Sequence, residues 1–239
     1  MRKTFFFMLL ILQGFSGILR GQERFGFEIG GYAARANWQG RRFQLGPPQV
    51  RPPFSLGFNS VGFDYDDKNA YGIRFNLLSQ NHWGGELAYS YQKNTVRLTR
   101  QSSTPVALSG GVHHFFYNMV FYPMHYSARR VMPFATVGLG VAGYHLSDLA
   151  RARAADPRVY GIGTLESIDN RFAFNYGVGV KVGVFSHFGI RADLRHLFSD
   201  VPRYGLPRES SNRNQFVLPT HGKLQTYEGS AGIYFHFLK

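Results

Sequence analysis

Cysteine is absent from the 239 residues, which excludes disulfide frameworks, Cys-ligated zinc or iron–sulfur sites, thiol catalysis and lipidation through an N-terminal Cys. Charge is scarce. Asp, Glu, Lys and Arg together make up 17%, below the roughly 25% usual for soluble domains. Beyond the N-terminus, no stretch approaches the ~18 consecutive apolar residues of a membrane-spanning helix. Blocks of like charge are missing too, and the basic residues form no recognition-helix pattern. The net charge of +13 therefore does not point to nucleic acid, and no such partner is expected. Aromatics are plentiful at 16%, with 23 Phe and 14 Tyr, alongside 28 Gly. That mixture argues against disorder, and for short strands and turns over a helical bundle.

The N-terminus has the form of an export signal. Arg2 and Lys3 make a basic start, Phe5–Leu12 an apolar run, and Gly14, Ser16 and Gly17 a small-residue stretch. The apolar run is too short to cross a bilayer as a mature helix; a hydrophobic strand or a membrane anchor is the alternative. Residues 1–21 are read as a signal peptide, with cleavage after Ser16 or after Gly21, and residues 22–239 as one domain. Removing Arg2, Lys3 and Arg20 leaves the mature part still strongly basic. An exported chain of this kind is either soluble in the periplasm or a β-barrel.

Periodicity decides between the two. Eight segments alternate with period two, the signature of strands. Phe27, Ile29 and Ala33 oppose Glu28 and Gly30; Tyr71, Ile73 and Phe75 oppose Gly72, Arg74 and Asn76; Leu87, Tyr89 and Tyr91 oppose Glu86, Ala88 and Ser90. Phe115, Tyr117 and Met119 face away from His114, Phe116 and Asn118, and Val137, Leu139 and Val141 from Gly138 and Gly140. The clearest run sets Phe172, Phe174, Tyr176, Val178, Val180 and Val182 against Ala173, Asn175, Gly177, Gly179 and Lys181. Phe188, Ile190 and Leu194 then oppose Gly189, Arg191, Asp193 and Arg195, and Tyr227, Ile233, Phe235 and Phe237 oppose Glu228, Ser230 and Gly232. Most runs approach the 9–11 residues of a tilted membrane strand. Short connections (Ser79–Gly85, Met124–Val131, Ser186–His187) alternate with long ones (Asn37–Asn69, Arg100–Val112, Ser147–Asn170, Asp200–Gly222), which gives one rim of turns and one of loops. The reading is an all-β, eight-stranded antiparallel up-and-down transmembrane barrel.

The faces orient it. The small-and-polar face carries too many glycines for a water-facing surface, among them Gly26, Gly30, Gly72, Gly138, Gly140, Gly177, Gly179, Gly183, Gly189 and Gly232. Inside a narrow barrel they relieve crowding. Charges on that face balance, with Glu28, Glu86, Asp193 and Glu228 against Arg74, Lys181, Arg191 and Arg195. Isolated buried charges are very costly, so these eight are read as an ion-pair network plugging the lumen, with solvated surface charge as the alternative. Aromatics near segment ends, such as Phe25, Tyr71, Trp83, Phe172, Phe188 and Phe237, match interfacial girdles. Lys93, Thr95, Arg97 and Thr99 invert the third segment, implying a bulge or a projection above the membrane.

With its signal, its alternation and its closing stretch Tyr227–Phe237, the chain resembles the OmpA/OmpX-like outer-membrane β-barrel domain family. The resemblance implies a location in the cell outer membrane. It implies contact with outer-membrane lipids and lipopolysaccharide, and passage through periplasmic chaperones and the barrel-assembly machinery. Gly232, Tyr234 (or Phe235) and Phe237 match the terminal-strand signal read by that machinery, although Leu238 and Lys239 extend past it. No peptidoglycan-binding domain is expected after the barrel.

Signals for chemistry are sparse. No Gly-x-Ser-x-Gly elbow occurs, and His145-Leu-Ser147-Asp148 departs in its last place from the His-x-Ser-Asn pattern of lipid-A deacylases. His113 and His114 are adjacent, so on a strand they point to opposite faces. Asp64-Tyr-Asp-Asp67 lacks the glycine and closing glutamate of a calcium loop. Gly138-Leu-Gly140 precedes no helix and is no phosphate loop. Loop arginines Arg41, Arg42, Arg151 and Arg153 can meet lipid phosphates, with solubility as the alternative for each. No catalytic residue, cofactor or metal site is assigned. The leading reading is a non-enzymatic barrel with a structural or surface-interaction role. A narrow transporter or porin-like channel for small solutes is the alternative, ahead of a lipid-A-modifying enzyme.

Overall fold

A computed structural model of the chain describes residues 26–39, 41–44, 60–78, 82–100, 106–124, 130–156, 159, 163–206 and 223–238. The signal segment 1–21, its cleavage positions and Phe25 lie outside these residues. In chain order the elements are β1 (Gly26–Gln39), β2 (Arg41–Gln44), β3 (Ser60–Tyr65), β4 (Lys68–Leu78), β5 (Trp83–Arg100), β6 (Val106–Phe121), β7 (Val131–Leu146), helix α1 (Asp148–Ala155), β8 (Ile168–Phe185), β9 (Phe188–Asp200) and β10 (Lys223–Leu238). All ladders are antiparallel: β1 pairs β4, each strand from β4 to β10 pairs the next, and β1 pairs β10 from Gly26↔Leu238 to Gln39↔Gln225. The sheet therefore closes on itself as an eight-stranded barrel. β2 and β3 are extra pieces that carry the first hairpin upward, β3 pairing the upper half of β5.

Following partners around the ring gives the stagger. From Trp83 the row runs through Phe121, Ala135, Val178, Leu194, Gly229, Arg35 and Asn69. Asn69 adjoins Ala70, the partner of Gln92, so the row returns to β5 at Lys93, ten residues above Trp83. That offset tilts every strand, and tilt stretches the apolar belt less than strand length alone would. On β8 the outward positions run from Val184 up to Phe172, which at ~3.3 Å per residue and ~40° tilt is roughly 30 Å, enough for the ~25 Å band such barrels present.

The two faces separate as the alternation requires. Tyr71, Ile73, Phe75, Trp83, Leu139, Val178, Ile190, Leu194, Ile233 and Phe237 are exposed on the outside. Glycines on the inner face make room for single large neighbours. A Cβ on Gly189 would sit 2.3 Å from the Tyr234 ring, and one on Gly72 would sit 2.5 Å from the Tyr32 ring, so each tyrosine lies flat across the strand beside it.

One sequence expectation changes and another is narrowed. Most of the stretch read as a long loop at Arg100–Val112 is strand, because β5 and β6 stay in register from Trp83↔Phe121 to Leu98↔Val106. The inversion at Lys93, Thr95 and Arg97 is the projection, not the bulge. Lys93 and Arg97 remain outside while Asn94 and Val96 remain inside, so the surroundings change from lipid to water without a slip in the ladder. A register irregularity does occur at Gly183/Phe185, beside the tight Ser186–His187 turn.

Candidate functional site

Among the described residues, charged groups converge away from solvent chiefly in the lumen. Its centre holds Arg74 on β4, Glu86 on β5, and Arg191, Asp193 and Arg195 on β9, which alternation sends inward together. Arg74 grips Asp193 with both terminal nitrogens, at 2.9 and 3.2 Å, and donates to Ser230 Oγ at 3.0 Å. Arg191 reaches Glu86 at 2.6 Å and Asp193 at 2.9 Å; Arg195 reaches the same two acids at 2.8 and 3.3 Å. β5 and β9 are four strands apart whichever way the ring is followed. The Glu86 pairs therefore cross the full diameter of the barrel. Asn118 donates to Glu86 at 2.7 Å, and Asn175 donates to Asn118 at 2.7 Å, so the bar is anchored on β6 and β8 as well. Arg74 stacks 3.6 Å over the Tyr32 ring and Arg191 4.3 Å over Phe134, which covers the guanidinium faces with low-polarity surface.

A second group lies toward the short-turn end. Lys181 on β8 meets Glu28 on β1 at 2.5 Å and donates to Tyr122 Oη at 2.8 Å, with His236 Nδ1 3.6 Å from Glu28. Seven of the eight expected charges are thus ion-paired. Glu228 differs. It is buried in the lumen, yet among the described residues it makes no ion pair within 4 Å, and it acts on Arg74 and Arg195 only through the longer-range field. Arg195, its direct partner in the ladder, turns to Glu86 and Asp193 instead. Sequence reasoning did not single out Tyr32, Tyr122 or Asn175, nor give Asn118 and Ser230 a part in the network. Their inward register was the available signal.

Above the charged bar the inner face becomes apolar. Trp38, Tyr65, Val96, Leu108, Val112, Phe116, Tyr144, Leu146 and Leu197 form a core continuous with Leu165, Val201 and Tyr204 from the connections and with Ala150 and Ala154 of α1. Trp38 Nε1 donates to Gln92 Oε1 at 2.9 Å, and the hydroxyls of Tyr65 and Tyr204 meet at 3.0 Å. Burial raises both phenol groups well above their ordinary value and keeps them neutral. Asp169 accepts the backbone N–H groups of Arg203 and Tyr204 at 2.6 and 2.8 Å, fixing this connection over the mouth. Connections read from composition as solvated loops thus contribute a plug.

The other candidate motifs have local partners. Ser147 is the N-cap of α1: its Oγ accepts the Ala150 N–H at 3.2 Å and contacts Ser109 Oγ at 2.8 Å, while Asp148 pairs with Arg151. Arg153 sits in the last turn of that helix, exposed, and the side chains of Arg41 and Arg42 lie outside the described residues. His113 faces outward with Tyr89 Oη 2.9 Å away, and His114 is buried between Trp38 and Phe116, on opposite faces as expected. In the acidic cluster, Asp66 pairs with Arg97 at 3.0 Å and Asp67 accepts the Trp38 N–H at 2.8 Å. Among the described residues no three His, Asp or Glu side chains converge on a metal position. On β10, Tyr234 turns into the lumen, whereas Phe235 and Phe237 share the lipid face.

A barrel with its apolar side outward and its ions inward needs hydrocarbon as its solvent, and comparison with known proteins agrees. The family model for the outer membrane protein beta-barrel domain matches residues 7–219. The chain belongs to this family. It is an outer-membrane β-barrel protein, and its place is the outer membrane. Its fold is similar to that of the outer membrane protein OprG from Pseudomonas aeruginosa, at 14% identity and a TM-score of 0.56, covering 91% of this chain and 98% of that one. Neisserial surface protein A aligns at 14% identity and a TM-score of 0.49, covering 89% and 97%. The attachment invasion locus protein Ail of Yersinia pestis aligns at 10% and 0.44, covering 91% and 100%. No curated protein sequence matches.

Proposed function

We propose that this barrel is a non-enzymatic, sealed anchor that holds an extracellular surface above the outer leaflet. The observation that carries the reading is the Arg191–Glu86–Arg195 bar across the barrel diameter, capped above by the apolar core around Trp38, Phe116 and Tyr144. Moving a hydrated solute past that bar means separating buried ion pairs, which costs several kcal/mol per ion. Ser147, the serine of the His145-Leu-Ser147-Asp148 stretch, is engaged in capping a helix, which supports a role without catalysis.

The outward face supports contact with lipopolysaccharide and the other outer-membrane lipids. Arg35, Lys93 and Arg97 are exposed on β1 and β5 just above the aromatic belt, at the height of outer-leaflet phosphates. For biogenesis we propose periplasmic chaperones and the barrel-assembly machinery as partners, with Gly232, Tyr234 and Phe237 as the terminal-strand signal. Phe237 meets lipid and the two others shape the lumen wall.

Reconstitution into planar bilayers tests the reading. Wild-type protein is expected to give background conductance, and Glu86→Ala with Arg195→Ala to raise it by opening the bar. Wild-type solute flux abolished by altering Arg191 would instead identify a narrow transporter, and lipid-A deacylation lost in Ser147→Ala would identify an enzyme.

A further inference from the structure

Beside the central bar lies a small space that the ion pairs do not fill. It offers about 10 Å³ for the centre of a water-sized sphere, room for one particle, and its walls include Tyr32, Arg74, Asn76, Arg191 and Tyr234. The strands that build it are β1, β4, β9 and β10, and Gly30 and Gly232 let β1 and β10 approach closely there, since a Cβ on either would run into a carbonyl of the facing strand. Two donors on these walls have no partner: Arg74 Nε and Arg191 Nη2. Their side chains are 3% and 4% exposed, so water from outside does not reach them.

We infer that this space is a binding site for one small inorganic anion of halide size, held between Arg74 and Arg191. The chemistry of the walls selects the occupant. Donors crowd these walls while acceptors are few: Asn76 Oδ1 already faces Arg191 Nη1 at 3.4 Å and the Asp193 oxygens accept from Arg74, Arg191, Arg195 and Ser230, which leaves a second lone pair on Asn76 Oδ1 and the Tyr32 and Tyr234 hydroxyls as the acceptors open to a water. An anion accepts from every donor present and requires none in return. Charge points the same way. The bar joins three guanidinium groups to two carboxylates, and the next acid, Glu228, is not a wall of the space and pairs with none of the three within 4 Å. The anion ties β4 to β9 and completes the seal at the barrel centre. This goes beyond the sealed-anchor reading and fails separately from it, because a lumen without the anion can still be closed.

Crystals of the refolded barrel soaked in sodium bromide, measured at the bromine edge, test the site directly. The expected result is an anomalous peak within hydrogen-bonding distance of Arg74 Nε and Arg191 Nη2. In parallel, the unfolding temperature in detergent at fixed ionic strength should be several degrees higher in chloride or bromide than in gluconate. Asn76→Asp, which supplies a fixed negative charge at the wall, should remove that halide dependence. An ordered water with no anomalous signal overturns the inference. So does a peak in a protein whose stability ignores the anion, which would mark an adventitious ion only. Should Asn76→Asp fail to fold, the wild-type peak and its halide dependence decide. Background conductance persisting without the peak would remove the anion while leaving the sealed anchor intact.

Discussion

Lys181 and Glu28 show how buried residues hold this lumen together. Neither side chain has measurable exposure, and the 2.5 Å pair is completed by Tyr122 Oη. Removing one partner strands a charge in a low-dielectric interior, so Lys181→Met is expected to destabilise the barrel by about 3–5 kcal/mol. The double variant Lys181→Met with Glu28→Gln should recover much of that loss. Equilibrium urea unfolding in detergent, followed by tryptophan emission, measures both alongside Glu28→Gln alone; a double-variant loss equal to the sum of the two single losses would mean the pair carries no mutual interaction. The charge census on the inner face was legible from alternation alone, since inward parity fixes which residues share the lumen. Which residue reaches which was not. Glu228 has the right parity but no ion pair within 4 Å, because partner choice depends on strand stagger and on side-chain direction across the ring, and neither is written in one strand's sequence.

The long β5–β6 hairpin shows the same limit at the level of the element. Its outward face is apolar from Trp83 to Tyr91 and polar from Lys93 upward, while the inward face runs from Glu86 and Ser90 to Val96. Period two survives throughout; only the solvent on each side changes. A pattern tied to one solvent therefore stopped reading as strand at Arg100, although the ladder continues through Leu98↔Val106 and β6 begins at Val106. The depth assignment yields a contrast. Ile73→Arg, near mid-belt on β4, should lose about 2–4 kcal/mol, against roughly 0–1 kcal/mol for Thr95→Arg on the projecting part of β5. Refolding yields and urea midpoints in phospholipid vesicles check it, and similar losses at both positions would place the hairpin inside the bilayer. The helix α1 went unread for another reason. Eight residues carried by the Ser147 cap and by two buried alanines leave almost no periodic signal.

For the whole molecule, the barrel, its closure and its inside-out polarity were legible because the two solvents, lipid outside and a packed lumen inside, impose opposite demands on alternate residues over eight strands. The apolar outer plug was not. It is assembled from residues far apart in the chain, Trp38, Tyr65, Phe116, Tyr144, Leu165 and Tyr204, that meet only after the ring has closed. The resulting molecule has ions at its waist, aromatic packing toward its loop end and hydrocarbon-facing side chains all around. That arrangement is tested most directly by paramagnetic relaxation of methyl and amide signals from the barrel in nanodiscs carrying chain-labelled lipid, with a water-soluble gadolinium chelate as the second probe. Ile73, Leu139 and Val178 should broaden with the lipid label and resist the chelate, while the Asn118 and Asn175 side-chain amides resist both. Broadening of Asn118 and Asn175 by the chelate, with Val178 untouched by lipid, would contradict the account.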